Sequence, residues 1–314
     1  MTQTPTEARW GSLQAYDYGL TASTDAAAGP SAPALFFHGN GFSALTYNGL
    51  LSRLAPDLPV RAVDLQGHGR SDDIPSLAQL RNWRVYRSNV EDVLDRNGPS
   101  ILMGHSMGAL CSMFTAMERP EDVRGLVLLE PVFFPPLFML ALSVARVLNV
   151  EARGNRLIPQ ARERRQYFDS YEQAIDYFRG RKGLKSWPEQ AIHDYSHSVL
   201  RKRRDGQPGL ELKLHPEIEA MNFSTLPAGL WPAKRLPMPV LVLRGGGEGS
   251  TVTDGRLRWL ERLAPRLSVR GHGSSGHMLP VDQADWCAEA IAAWSSILGN
   301  NPLGDSPLGD STAG

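Results

Sequence analysis

Short apolar runs alternate with longer amphipathic stretches over the first 131 residues of the chain. Continuous apolar runs of this length are typical of strands buried on both faces of a sheet, and the amphipathic stretches are long enough for crossover helices. This alternation predicts a mostly parallel sheet covered by helices on both faces. The predicted strands occupy residues 34–40, 59–69, 100–106 and 125–131, and the clearest predicted helices occupy residues 83–96 and 109–118.

The same alternation returns after residue 235. A strand is predicted at 239–247, a helix at 255–263, a short strand at 266–273 and a final helix from about 282 to 298. We therefore predict an α/β fold whose core is formed by residues 1–131 and 236–298. In such a sheet the functional groups are expected at the carboxyl ends of the strands.

Residues 132–235 interrupt this rhythm, because they are helix-like and rich in arginine and aromatic residues, without clear strands. We interpret them as a helical cap inserted into the core. The segment has 17 Lys and Arg against 11 Asp and Glu, a net charge of +6, and the rest of the chain carries −6. These charges are expected on solvated helix faces. The alternative is that one cluster attracts an anionic substrate, and its members are Arg201, Lys202, Arg203 and Arg204.

Two further segments stand out by composition. The apolar run PVFFPPLFMLALSVARVL at 131–148 is interpreted either as a cap helix packed on the core or as the lining of a channel for an apolar acyl group. Residues 299–314 contain PLGDS twice in succession and cannot bury apolar surface, so we predict a disordered tail there.

The overall composition indicates which kind of partner and which cellular compartment to expect. Lys and Arg together number 33, as do Asp and Glu, so nothing in the charge balance points to nucleic acid. The only cysteines, Cys111 and Cys287, form no disulfide framework, which suits a reducing compartment. The N-terminal sequence MTQTPTEARW has no signal pattern, and the apolar stretch at 132–145 is too short to span a bilayer. We expect a cytoplasmic protein that acts on a small molecule without stable membrane insertion.

The sequence GHSMG at 104–108 matches the pattern G-x-S-x-G. The pattern alone is weak evidence, because it arises by chance in chains rich in glycine and serine. Here it follows the apolar run SILM and leads into a helical pattern. A strand, a sharp turn and a helix in this order lift a serine hydroxyl above the sheet, so Ser106 is the candidate nucleophile.

From these residues the chain resembles the α/β-hydrolase superfamily, and the resemblance covers nearly all of residues 10–298. Four motifs carry it, in the family's order. HGNG at 38–41 is similar to the oxyanion loop, and DLQGHGRS at 64–71 is similar to the DxxGxGxS turn. GHSMG is similar to the nucleophile elbow, and GHMLP at 276–280 is similar to the loop of the catalytic histidine.

The resemblance implies roles for residues at each motif. A serine hydroxyl needs a base within hydrogen-bond reach, and the family's order makes His277 the candidate general base. His272 lies nearby at a predicted strand end and is interpreted as a surface or supporting residue. By resemblance, the oxyanion that forms during acyl transfer is held by the backbone amides of Asn40 and Met107, and the start of a helix at Met107 adds favourable partial charge.

Two glutamates are candidates for the acid that orients the histidine. The family usually places this acid after the strand at 239–247, where Glu248 stands in the loop RGGGEGST, which lacks the expected aspartate. Some members, haloalkane dehalogenases among them, carry it after the strand that follows the elbow helix, and Glu130 occupies that position. A glutamate at the end of an apolar strand needs a cationic or hydrogen-bonding partner, so we favour Glu130 and keep Glu248 as the alternative.

The predicted function is hydrolysis of a carboxylic ester or a related acyl bond through a Ser-His-Glu triad. Epoxide hydrolases and dehalogenases use an aspartate nucleophile, so Ser106 argues against both. Cleavage of a C–C bond in a diketone-like ring-fission product is the alternative, and a non-catalytic ligand-binding protein on the same fold is another. No cofactor and no metal are expected, although His193 and His197 have a spacing that can hold a metal, because the intervening Glu of H-E-x-x-H is missing.

Overall fold

A computed structural model of the protein describes residues 4–20, 32–74, 76–132, 144, 155–225 and 234–300. Two predictions from the sequence concern other parts of the chain. Most of the apolar run at 131–148 lies outside the described residues, and so does the predicted tail beyond residue 300.

The described strands form one large sheet and one small sheet. In chain order the strands are β1 (Thr6–Trp10), β2 (Leu13–Tyr18), β3 (Ala34–Phe37), β4 (Val60–Asp64), β5 (Ser100–His105), β6 (Val123–Leu129), β7 (Tyr167–Phe168), β8 (Leu200–Lys202), β9 (Leu210–Leu212), β10 (Val240–Gly245) and β11 (Leu267–His272). The large sheet has eight strands in the order β1-β2-β4-β3-β5-β6-β10-β11. All neighbours from β4 to β11 are parallel, whereas β1 pairs with β2, and β2 with β4, in antiparallel fashion. The predicted α/β fold with a mostly parallel sheet is confirmed.

Helices cover both faces of the large sheet. In chain order the α-helices are α1 (Asn48–Leu54), α2 (Arg84–Asn97), α3 (Met107–Glu118), α4 (Leu157–Arg162), α5 (Tyr171–Arg179), α6 (Glu189–Val199), α7 (Pro216–Ser224), α8 (Asp254–Leu263), α9 (Leu279–Asp282) and α10 (Ala284–Asn300). The helices predicted at 83–96, 109–118 and 255–263 each begin within two residues of the observed ones, and the final predicted helix corresponds to α10. Within the described parts of the chain, no helix combines the length and apolarity needed to cross a membrane.

The alternation of side chains along the strands produces two apolar layers. In β3, Phe36 points into a layer with α1 and α10, whereas Leu35 and Phe37 point into the layer with α2, α3 and α8. All three side chains are fully buried. A strand buried on both faces reads as a continuous apolar run, which is why ALFF was detectable from the sequence.

The first two strands were not predicted from the sequence. They form a hairpin whose outer strand, β1, is mostly exposed and carries polar residues. β2 is almost wholly buried but mixes polar residues such as Gln14 and Asp17 with apolar ones. Asp17 is bound by Arg61 of β4 at 2.6 and 2.9 Å, so charge pairing replaces apolar burial at this position.

The segment between β6 and β10, called the insertion below, is mainly helical in its described part. It contains α4, α5, α6 and α7, together with a three-stranded antiparallel sheet in the order β7-β9-β8. The sequence analysis did not predict these strands. They have only two or three residues each, which is too short to produce a recognisable alternation of apolar and polar positions.

A buried carboxylate at the end of β4, that of Asp64, binds groups from β2, from the segment after β3 and from the turn that follows β4 itself. Asp64 is fully buried, and its side chain accepts hydrogen bonds from the Ala44 amide at 2.7 Å, the Arg70 amide at 2.9 Å and the Tyr16 hydroxyl at 3.0 Å. Gly69 has a φ of +47°, and a Cβ there would overlap the carboxylate. The motif DLQGHGRS is therefore a turn that wraps around the side chain of its own first residue.

Replacing Asp64 by Asn should lower the free energy of unfolding by about 2 to 4 kcal/mol, because an amide presents two N–H donors where three donors converge. Urea denaturation followed by tryptophan fluorescence measures this. Asp57→Asn, at an exposed position, is the matched control, and its effect should stay within about 0.5 kcal/mol. Equal effects of the two substitutions would contradict the role given to Asp64.

Candidate active site

Ser106 occupies a sharp turn between β5 and α3. Its backbone has φ +52° and ψ −110°, a conformation that a residue with a side chain rarely adopts. The chain is also tightly packed around it, because a Cβ on Gly108 would overlap the Phe37 carbonyl oxygen and a Cβ on Gly104 would overlap the backbone of Gly108. Both glycines of the G-x-S-x-G pattern are thus required by close backbone contacts.

His277 lies beside this serine. The residue belongs to the loop between β11 and α9, and its Nε2 atom is 3.0 Å from the Ser106 Oγ atom. The rival histidine, His272, lies elsewhere, because its Nδ1 atom contacts the Ser275 hydroxyl at 2.9 Å and its ring packs against Trp286. The structure therefore brings together the serine and the histidine that the motifs selected.

Glu130 follows β6 directly and is fully buried, with a φ of +42°. Its Oε1 atom accepts hydrogen bonds from the Gly245 amide at 2.6 Å and the Ser250 hydroxyl at 2.7 Å. Its Oε2 atom accepts from the amide and the hydroxyl of Thr251 at 2.8 and 3.0 Å, and it lies 3.4 Å from the His277 Nδ1 atom. A carboxylate, an imidazole and a hydroxyl thus follow one another in hydrogen-bond contact.

The environment of Glu130 keeps its side chain ionised. Burial alone would raise the pKa of the carboxyl group, since it disfavours the charged form. Hydrogen bonds from His277, Thr251, Gly245 and Ser250 outweigh burial and lower the pKa to about 2. A permanent negative charge therefore faces the histidine at neutral pH.

The alternative acid, Glu248, is placed differently. Its side chain is exposed, and it approaches the histidine loop with its backbone, because a Cβ on Gly276 would overlap the Glu248 carbonyl oxygen. The glycine-rich loop after β10 instead contributes Ser250 and Thr251, which bind Glu130. The sequence analysis missed these two residues, although the pair Ser-Thr directly after a glycine-rich strand end was a signal for side chains that bind a carboxylate.

The loop after β3 lies against the nucleophile. A Cβ on Gly39 would be 3.4 Å from the Ser106 Cβ atom, so the loop that carries Asn40 lies against the serine. The Met107 amide opens α3 directly after the serine. Among the residues that the structure describes, neither amide donates a hydrogen bond to a protein acceptor, and both are therefore free for a ligand oxygen.

A buried side chain of the insertion is hydrogen-bonded to this loop. Asn222 of α7 donates from Nδ2 to the Asn40 Oδ1 atom at 2.8 Å, and its carbonyl oxygen accepts from the Trp83 indole at 3.1 Å. Nothing in the sequence signals this contact, because a single asparagine within a helix has no distinguishing pattern. The contact matters because it holds the side chain of Asn40, a residue of the loop that lies against Ser106.

Aromatic side chains of the insertion also pack beside the site. The Phe42 ring centroid is 5.9 Å from that of Trp187, 5.7 Å from that of Tyr195 and 6.4 Å from that of His105. Arg164 forms an ion pair with a glutamate of α7 and donates to the Tyr195 hydroxyl at 2.7 Å. Aromatic rings and one ion pair thus adjoin the loop after β3.

The basic cluster at 201–204 is largely neutralised by neighbouring carboxylates. Arg201 contacts Asp73 at 3.1 Å and Glu211 at 2.7 Å, Arg204 also pairs with Asp73, and Arg203 pairs with Asp205. Lys202 has an exposed side chain. These ion pairs favour the interpretation of the cluster as part of a solvated surface.

The described residues contain no group of three or more His, Cys, Asp or Glu side chains that could hold a metal ion. His193 lies 3.4 Å from Glu189, and the His197 ring stacks on that of Tyr171. The first contact lies within α6, and the second joins α6 to α5.

Comparisons with known proteins identify the family of the chain. A model of the alpha/beta hydrolase family matches residues 34–290. The chain is 30% identical over 239 residues to a 2-(acetamidomethylene)succinate hydrolase of Mesorhizobium japonicum, which covers 75% of this chain and 77% of that protein. It is also 38% identical over 128 residues to a lipase of Mycobacterium tuberculosis, covering 39% of this chain and 44% of the lipase.

Solved structures resemble the fold over most of its length. An E-2-(acetamidomethylene)succinate hydrolase superimposes with a TM-score of 0.67 at 24% identity, over 90% of this chain and 95% of the other. An esterase from Mycobacterium tuberculosis superimposes with a TM-score of 0.66 at 21% identity, over 93% and 90% of the two chains. With the family model matched over most of the chain, and with the sheet order and elbow described above, this protein belongs to the alpha/beta hydrolase family.

Proposed function

We propose that this protein is a serine hydrolase that cleaves a carboxylic ester or a related acyl bond. Ser106 is the nucleophile, His277 the general base and Glu130 the acid that orients it. The observation that carries the proposal is the continuous line of contacts from the Ser106 Oγ atom through His277 to the Glu130 Oε2 atom, with distances of 3.0 and 3.4 Å.

The first half of the reaction forms an acyl-enzyme. The Ser106 oxygen attacks the carbonyl carbon of the ester while its proton passes to the Nε2 atom of His277. The carbonyl π electrons move to the oxygen, and the amides of Asn40 and Met107 donate to the resulting oxyanion. As the C=O bond forms again, the C–O bond to the alcohol breaks, and His277 gives its proton to the departing alcohol oxygen.

The second half of the reaction releases the acid. His277 removes a proton from a water molecule, whose oxygen attacks the acyl carbon and forms a second oxyanion. When that oxyanion collapses, the bond to Ser106 breaks and the serine oxygen takes the proton from His277. Every proton that leaves an oxygen atom is thus carried by the same imidazole.

Glu130 has two effects on this cycle. Its ionised carboxylate accepts a hydrogen bond from the N–H group at Nδ1 of His277, so the ring proton stays on Nδ1 and a lone pair on Nε2 faces the serine. The same negative charge favours the imidazolium form that arises in each half reaction. Because Thr251, Ser250 and Gly245 bind the carboxylate as well, its position does not depend on the histidine alone.

We also propose that the insertion acts as the cap over this site. Its support is the contact of Asn222 with Asn40 and the packing of Trp187 and Tyr195 on Phe42. The aromatic rings of Trp187, Tyr195 and Phe42 favour a substrate with an apolar part next to the scissile bond.

The second candidate is cleavage of a different acyl bond, including the C–C bond of a diketone, by the same three residues. The relative from Mesorhizobium japonicum, whose name gives an acetamido-substituted succinate as its substrate, favours a bond other than that of a simple ester. Turnover of a panel that contains p-nitrophenyl esters of increasing chain length and a ring-fission-type diketone distinguishes the two. A protein that only binds its ligand would turn over neither.

A fluorophosphonate probe should label the wild-type protein, and Ser106→Ala should abolish the labelling, because the probe reacts with an activated serine. Mass spectrometry of the intact protein measures one added phosphonyl group. Ser112→Ala is a matched control, since this serine lies on α3, the helix that follows Ser106, and its buried hydroxyl has no partner among the described residues. Labelling that survives in Ser106→Ala, or is absent from folded wild type, would refute the assigned nucleophile.

Glu130→Gln should reduce kcat by roughly 10²- to 10⁴-fold, because the neutral amide no longer stabilises the imidazolium and no longer enforces the tautomer. Glu248→Gln should change kcat by less than about 2-fold, because its side chain is exposed to solvent. Steady-state hydrolysis of p-nitrophenyl acetate measures both. A large loss in Glu248→Gln with little effect of Glu130→Gln would reverse the assignment.

The ionised state of Glu130 should also be visible in the pH dependence of stability. Its pKa in the fold, about 2, lies below the ordinary value of 4.5, so the carboxylate stabilises the fold above about pH 4.5, and this stabilisation is lost as the pH falls toward 2. The difference in unfolding free energy between wild type and Glu130→Gln should therefore shrink by roughly 2 kcal/mol from pH 7 to pH 3. Urea denaturation at both pH values measures this, and a constant difference would contradict it.

A further inference from the structure

A chain of buried hydrogen bonds runs behind the three proposed catalytic residues. The Gly39 amide lies 3.2 Å from the Tyr47 hydroxyl oxygen, which lies 2.7 Å from the His105 Nδ1 atom. The His105 Nε2 atom lies 2.9 Å from the backbone carbonyl oxygen of His277. The chain therefore begins in the oxyanion loop and ends on the residue proposed as the base.

The chemistry of the two ends determines the direction of every bond. The carbonyl oxygen of His277 can only accept, so the Nε2 atom of His105 carries the ring proton and donates. Its Nδ1 atom then has a lone pair and accepts the hydroxyl proton of Tyr47. The Tyr47 oxygen in turn accepts from the Gly39 amide. Each donor in the chain has one acceptor, and a neutral His105 in a single tautomer satisfies all of them.

The side chains of this hydrogen-bond chain, Tyr47 and His105, do not change their charge near neutral pH. Tyr47 and His105 are both fully buried. Burial, with a smaller contribution from His277, lowers the pKa of His105 to about 3, and burial raises the pKa of Tyr47. A neutral ring is required here, because the His105 and His277 rings lie only 4.7 Å apart and a charge on the first would oppose protonation of the second.

Both ends of the chain lie next to reacting atoms. Gly39 directly precedes Asn40, whose amide is one of the two proposed oxyanion donors. A Cβ on Gly39 would lie 3.0 Å from the His105 Nδ1 atom, so the His105 ring fills the space between the two loops. A shift of the Tyr47 hydroxyl would therefore change the oxyanion loop and the base loop relative to one another.

We propose that Tyr47 is a positioning residue which, through His105, holds the oxyanion loop and the loop of the general base in one fixed arrangement. This inference rests on the function proposed above. Tyr47 lies in the short 3-10 helix Ala44–Tyr47, outside all four motifs of the family, and it contacts the reaction only through its neighbours. The Tyr47 hydroxyl affects the rate by fixing the positions of the reacting groups. A displacement of a reacting group by about 1 Å lowers a rate by up to about 10²-fold.

Tyr47→Phe removes the hydroxyl and keeps the ring, which packs on Phe36 and Phe42. With p-nitrophenyl acetate, kcat should fall by roughly 5- to 30-fold with KM changed by less than about 2-fold, because the loss concerns the arrangement of reacting groups and not the binding of the ester. Tyr18→Phe is the matched control. Tyr18 is as fully buried, in the same apolar layer, but its hydroxyl has no partner among the described residues, so its kcat should stay within about 2-fold of wild type.

A double-mutant cycle tests whether Tyr47 acts through His105. His105→Phe should lower kcat by on the order of 10²-fold, and the double variant Tyr47→Phe, His105→Phe should be no slower than His105→Phe alone, because both substitutions break one chain. If His105→Phe does not give the wild-type circular dichroism spectrum, His105→Gln replaces it. Its amide can still donate to the His277 carbonyl, so its kcat should lie between those of wild type and Tyr47→Phe.

The outcomes separate this inference from the function it rests on. If the wild-type protein shows no activity that depends on Ser106, the proposed function itself is wrong. Wild-type activity that depends on Ser106, with Tyr47→Phe and Tyr18→Phe equally close to wild type, would overturn only the positioning role. Effects of Tyr47→Phe and His105→Phe that multiply in the double variant would show that the two residues act separately, which also overturns it.

Discussion

The structure around the site depends on one buried charge, the carboxylate of Glu130. It stands where β6 ends, and it is bound by the backbone and hydroxyl groups of the loop after β10 and by the histidine after β11. A buried carboxylate without such partners would cost several kcal/mol, so the three strand ends are constrained to meet around it. The positive φ of Glu130 belongs to the same constraint, because it turns the side chain away from the strand direction and toward the neighbouring loops.

Much of the fold and the pairing of Ser106 with His277 could be predicted from the sequence, because these features leave local patterns. The strands of the parallel core are continuous apolar runs, and the elbow glycines are required where backbone segments nearly touch. The hairpin β1–β2 was not predicted because its strands lack a clear alternation of apolar and polar residues. The pairing of the two strands and the Arg61–Asp17 contact stabilise it instead. The preference for Glu130 over Glu248 followed from the cost of burying an unpaired carboxylate, an argument about energy that needs no coordinates.

The residues that sequence reasoning missed have one property in common: each acts through a partner far away in the chain. Tyr47 contacts His105 across 58 positions, and Asn222 contacts Asn40 across 182. Neither stands in a motif, and neither alters a local pattern of apolar and polar positions. Motifs identify the groups that react, whereas the groups that hold them in place become visible only when the folded chain brings distant segments together.

The bond between Asn222 and Asn40 has a consequence for how such hydrolases diversify. A segment inserted between two strands is often treated as an interchangeable module that brings its own substrate preference. Here the Asn222 amide of that module is hydrogen-bonded to Asn40, in the loop that lies against Ser106, and the Trp83 indole anchors the same helix turn to the core. Transferring the insertion into a relative would therefore alter the catalytic loop of the recipient unless both asparagines were transferred together.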